Sequence, residues 1–176
     1  WRSAQGCQRA IRYVIAGMLD GEAAARAEGR DVRGLLFLGL YKDQPAEELQ
    51  TIVNAVLRLR QRWLDERRPE VTRLAGLDSL GEEGTFDPRS QLAIFQQAHA
   101  AGLPVVFHLG ERWAPGKLLE KLQDMDALVD AGLLMTLTSP LALLVDAGTL
   151  RADLYPDDAK ERIATSTVFA PWLKQL

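Results

Sequence analysis

The chemistry this chain could perform concentrates at His108-Leu109-Gly110-Glu111. An imidazole leaves the apolar run Val105-Val106-Phe107, and a carboxylate follows three residues later across a glycine that lets the backbone turn. His108 in such a place can ligate a metal, and Glu111 can carry a proton. Spacing alone leaves His108 open between that role and the role of a hydrogen-bonded structural residue. Three further polar clusters follow apolar runs: Tyr41-Lys42-Asp43, Asp78-Ser79-Leu80-Gly81-Glu82-Glu83 and Thr138-Ser139. Only two histidines exist. His99 falls on a helical stripe with Leu92 and Phe95, where a half-buried packing role is expected. A histidine-rich zinc site, which needs three or four protein ligands, cannot be assembled from these residues by spacing.

Other features are assigned structural roles. Gly81 and Gly84 belong to a strand-to-helix loop without a phosphate-loop or dinucleotide fingerprint. Glu82 and Glu83 read as solvated, Asp157-Asp158 as a helix cap, and the arginines between Arg58 and Arg68 as a wet helix face. Trp63 and Trp172 fit helix packing, and Trp113 is the one tryptophan near the strand-end cluster. Cys7 lies far from either histidine in sequence, so no Cys-His or Ser-His-Asp nucleophile is visible.

These clusters need elements that bring them together, and the pattern supplies an alternation of strands and helices. Apolar residues at three- and four-residue spacing between Gln8 and Arg26 predict an amphipathic helix, weakened by Gly17, Gly21 and Gly29, with a ragged end. Leu35 to Tyr41 predicts a strand buried on both faces. A helix follows, with Pro45 in its first turn and Leu49, Ile52, Val53, Val56, Leu57, Trp63 and Leu64 along one side. Arg73 to Ser79 predicts the second strand. Asp87-Pro88 reads as cap and first helical position of a helix that buries Leu92, Phe95 and Ala98 and ends at Gly102. Pro104 to His108 is the third strand, Lys117 to Gln123 opens another helix, Leu133 to Thr138 is the fourth strand, and a last helix runs from Pro156 toward Leu176.

The architecture implied is parallel α/β, one domain over residues 1–176 with a leading helical segment over 1–30. Two closures fit, an open doubly wound sheet or part of a (β/α)8 barrel. A full barrel takes ~250 residues and eight strands, against 176 residues and four strands here. In both, ligands bind at the C-terminal ends of the strands, where the four polar clusters fall. The 176 residues are 47% apolar and 26% charged, which is globular rather than disordered composition. A net charge of -3 excludes a global positive field, so nucleic acid is not an expected partner. No apolar run approaches the ~20 residues of a membrane span. The single cysteine fits a reducing, cytoplasmic setting. Association into oligomers is left open.

With the motifs in view, the chain resembles the adenosine deaminase family of the amidohydrolase superfamily. Ala75-Gly76-Leu77-Asp78-Ser79-Leu80-Gly81-Glu82-Glu83 is similar to that family's Gly-hydrophobic-Asp-Leu-x-Gly-x-Glu strand, and His108-Leu109-Gly110-Glu111 to its His-Ala-Gly-Glu strand end. Asp126 to Pro140 resembles the segment leading into the family's Asp-Asp-Pro, and Ile163 to Lys174 its last helix. The resemblance implies a (β/α)8 barrel of the metal-dependent hydrolase kind and a hydrolytic deaminase of adenosine or an adenine nucleotide. By the same resemblance His108 is a zinc ligand, Glu111 the proton shuttle beside the purine, and Gly81 the glycine whose backbone contacts the ring. The family's His-x-His, Gly-His-Gly and Asp-Asp have no counterparts, and Thr138-Ser139-Pro140 stands where Asp-Asp-Pro would. About half of the barrel is therefore expected, with joints near Gln123 to Asp126 and near Ser139. The second function class consistent with the missing ligands is a catalytically silent, purine-binding or scaffold relative.

Overall fold

The computed structural model describes residues 3–81, 88–108, 118–133 and 137–138. Ser3 opens the first helix, α1 (Ala4–Ala27), and its side chain accepts a hydrogen bond from the Gly6 N–H at 3.1 Å, satisfying one of the donors a helix start leaves bare. Cys7, Ile11, Ile15, Glu22 and Ala25 form its buried stripe. Helix α2 (Ala46–Asp65) carries Glu47 and Glu48 in its first turn, where the helix dipole favours negative charge. It buries Leu49, Ile52, Val53, Ala55, Val56, Leu59 and Trp63. Its C-terminal turn closes with Arg68 N–H on the Trp63 carbonyl at 2.8 Å, which puts Arg67 at φ 51. Helices α3 (Leu92–Ala100) and α4 (Leu118–Asp130) complete the set. Arg60 of α2 donates to the Ala101 carbonyl at 2.8 Å, so a cation sits at the negative end of α3.

Strands β1 (Leu36–Tyr41), β2 (Leu74–Leu80), β3 (Val105–His108) and β4 (Leu137–Thr138) pair in parallel and in chain order. The register places Leu38 opposite Leu77 and Leu40 opposite Ser79, and those in turn opposite Val105 and Phe107. On the other face Phe37, Gly39 and Tyr41 stand opposite Gly76, Asp78 and Leu80, with Val106 beside Asp78. Because side chains alternate along a strand, the two sets define two surfaces. Leu38, Leu40, Leu77, Val105 and Phe107 join the helices in one hydrophobic core. Phe95 of α3 meets Phe107 edge to face, ring centroids 5.1 Å apart at 86°. Phe37, Tyr41, Leu80 and Val106 take no part in that core. All the described helices thus pack on one side of the sheet.

Several sequence expectations need correction. β1 is not buried on both faces: Phe37 and Tyr41 are 41% and 52% exposed, because β1 is the edge of the described sheet and its second face meets no described helix. Val14 and Leu64 fall outside the helix stripes and are exposed. Gly17 and Gly21 do not interrupt α1, since both lie on the exposed side of a continuous helix. Pro88 starts a 3-10 turn (Pro88–Gln91) rather than α3 itself, and Ile94 joins Phe95 and Ala98 in the buried face while Leu92 is half-buried. His99 is exposed rather than half-buried. Leu133 belongs to the close of α4, its N–H bonded to the Leu128 carbonyl at 2.9 Å. No discontinuity or short crossover lies at Gln123 to Asp126, which is the middle of α4, a normal crossover helix between β3 and β4. The expected joint at Ser139, the last helix and the cap at Asp157-Asp158 lie outside the described residues. No helix among the described residues is long and apolar enough to cross a membrane.

Candidate functional site

The open face of the sheet carries its polar groups at the C-terminal ends of β2 and β3. Asp78 and His108 lie on that face, and His108 Nδ1 stands 2.9 Å from Asp78 Oδ1. An ionised carboxylate only accepts hydrogen bonds, so Nδ1 carries the proton. In the neutral ring this leaves Nε2 with its lone pair, the atom that binds a metal or receives a proton. The side chains of His108 and Asp78 are 26% and 22% exposed, enough for a ligand to reach them. β2 runs on into Gly81, at φ +109, a conformation that side chains rarely adopt. A Cβ there would lie 3.3 Å from the Tyr41 ring and 3.7 Å from the Lys42 nitrogen, so the β2 end lies beside the β1 end.

Two polar residues join this arrangement from the far side. Lys42 directly follows β1 and extends the ladder, its N–H donating to the Leu80 carbonyl at 2.9 Å. Its side chain is buried, and Nζ donates to the backbone carbonyl of His108. Gln91 in the 3-10 turn is buried too, and its Nε2 donates to the Lys42 carbonyl at 3.2 Å. Gln91 Oε1 and Ser79 Oγ are buried without a hydrogen-bond partner among the described residues. Arg89, 3.6 Å from the buried Asp124, ties the same turn to α4.

Of the residues singled out from sequence, the structure brings Asp78 to His108 and sets Gly81 at the end of the same strand as Asp78. Thr138 lies opposite His108 in the β3–β4 register. Glu111, Trp113, Glu82, Glu83 and Ser139 fall outside the described residues. Cys7 is fully buried in α1, and burial pushes its thiol up to about 11, which leaves it inert as a nucleophile. Sequence reasoning placed Lys42 in the Tyr41-Lys42-Asp43 strand-end cluster without giving it a role, and did not single out Gln91. The one available signal for Lys42 was its position as the first charged residue after a wholly apolar strand; Gln91 left none. Among the described residues no three His, Cys, Asp or Glu side chains gather to hold an ion. His108 with Asp78 behind it makes one oriented ligand, and by themselves these residues do not fit a complete zinc site.

Over part of its length the chain is similar to adenine deaminases. It is 32% identical over 109 residues to the adenine deaminase of Bordetella avium, a stretch that covers 60% of this chain and 31% of that protein. It is 30% identical over 113 residues to the adenine deaminases of Bordetella parapertussis and Bordetella bronchiseptica, covering 64% of this chain and 32% of each. The chain thus spans about a third of the length of the curated relatives it matches. No family model matches, and no solved structure matches. These findings show an α/β chain that is similar, over part of its length, to adenine deaminases.

Proposed function

We propose that this chain is part of a hydrolytic deaminase that replaces the 6-amino group of an adenine ring. Water adds at C6, the amino group leaves as ammonia, and a hypoxanthine ring remains. The observation that carries the reading is the His108–Asp78 pair on the exposed face at the strand ends, where ligands bind in parallel α/β folds. Partial similarity to adenine deaminases supports it. The closure that suits this reading is the arc of a (β/α)8 barrel. Strands in chain order, with every described helix on one side, are what an arc of a barrel wall requires. A doubly wound sheet instead reverses its strand order and covers both faces.

In this reading Asp78 holds the His108 ring, and Nε2 faces the reacting centre. Glu111, three residues beyond His108, moves the proton between attacking water and ring nitrogen, and the Gly81 backbone meets the edge of the purine. Donors for a catalytic metal would have to come from beyond the described residues. The substrate is a purine base, nucleoside or nucleotide, and the names of the relatives favour the free base.

Ammonia release from adenine, adenosine and its mono- and triphosphates, measured on the full chain with and without added zinc, tests the reading. Release is expected from at least one of the four. Glu111→Gln, which keeps shape but removes the proton-accepting carboxylate, is expected to lower turnover by ~100-fold with the fold retained. A near-normal rate in that variant removes Glu111 from the mechanism. Purine binding without ammonia from any substrate assigns the chain instead to the silent, binding-only class.

A further inference from the structure

We propose that Lys42 is a positioning residue for His108, a clamp from the end of β1 across β2 to the end of β3. The inference rests on the reading of His108 as a site residue. β2 lies between β1 and β3 in the sheet, so a contact from Lys42 to the His108 carbonyl spans a whole strand. A lysine 3% exposed is costly to bury unless its ammonium is bonded, and here it bonds the peptide that carries the candidate ligand. Lys42 is itself held on both sides of its Cα: its N–H by the Leu80 carbonyl, its carbonyl by the buried Gln91.

Two kinds of contact therefore fix His108. Asp78 sets which ring nitrogen bears the proton, and Lys42 sets where the main chain of the residue stands. A ring bond of 2.9 Å to Asp78 survives only if the backbone that carries the ring stays in register. Removing the Lys42 ammonium is thus predicted to loosen the ring without any direct contact between Lys42 and the imidazole.

The two histidines make this measurable. In the nitrogen-15 spectrum of the full chain, His108 is expected to show two well-separated ring-nitrogen signals, the pattern of one locked tautomer, and exposed His99 serves as the internal control. Lys42→Met should collapse the His108 pair toward averaged positions and leave His99 unchanged, with the fold intact by circular dichroism. Lys42→Arg, which keeps a cationic donor, should retain the separated pair. Should Lys42→Met fail to fold, Lys42→Gln, polar but too short to reach the carbonyl, carries the same expectation. An unchanged His108 pattern in a folded variant that lacks the ammonium overturns the clamp. Because this readout needs no turnover, absence of ammonia release from the parent chain would sink the deaminase reading and leave the clamp to be judged on the spectrum alone.

Discussion

The two faces of the sheet obey different rules. On the helix-covered face Leu38, Leu40, Leu77, Val105 and Phe107 are buried among the stripes of the four helices. On the open face Phe37 and Tyr41 remain 41% and 52% exposed, and the same strands place Asp78 and His108 in contact there. Parallel sheets are ordinarily covered on both sides, so the contrast separates the surface that stabilises this unit from the one that carries the candidate site. It also accounts for the misreading of β1. A run of apolar residues looks the same whether its second face meets helices or the interior of a barrel.

The largest expected effect sets the two faces against each other with the same residue type. Phe95→Ala deletes a fully buried ring packed on Phe107 and should cost about 3–5 kcal/mol in urea unfolding. Phe37→Ala on the open face should cost about 1 kcal/mol or less. Equal losses would mean that the open face is packed, and the contrast would collapse.

Asp78→Asn sharpens the comparison from the functional side. It keeps the size of the side chain but removes the carboxylate that orients His108. Turnover is expected to fall on the order of 10- to 100-fold with little change in the urea midpoint. A large loss of stability with turnover preserved would move Asp78 to the structural side of the ledger.

The smallest effect concerns pH, at the margin of the covered side. Glu22 of α1 accepts from the Gly34 N–H at 2.8 Å and pairs with Arg73 at 2.6 Å, joining the helix to the approaches of β1 and β2. The Gly34 bond first, and then Arg73, hold its carboxyl below the ordinary value near 4.5. A carboxyl whose pKa is lowered by folding stabilises the fold above its unfolded value. That stability is lost as pH falls from there through the folded value. Thermal melts should accordingly show a steeper loss below about pH 4.5 in the parent than in Glu22→Gln, which is less stable near neutrality. Parallel curves for the two proteins would show that Glu22 contributes nothing to the acid limb.

Much of this could be read along the chain because it depends on near neighbours. The i, i+4 recurrence of Ile11 and Ile15 specifies a helix, the short apolar runs ending at Tyr41 and His108 specify strands, and glycine at 102 marks a stop. Their order implies a parallel sheet. The likeness to deaminases at Asp78 to Glu83 and His108 to Glu111 was also legible, since it consists of residue types at fixed spacing. Spacing alone left His108 open between a metal ligand and a hydrogen-bonded structural residue. His108 meets Asp78 thirty residues away, and Lys42 reaches His108 across sixty-six, distances over which no local periodicity carries information. The parallel register made both contacts, by setting three strand ends level so that the Asp78 and His108 side chains meet on neighbouring strands and Lys42 reaches the His108 backbone across β2. Tertiary packing likewise left one face uncovered among the described residues, because whether a strand is covered once or twice depends on where the helices lie, and the strand's own residues do not encode that.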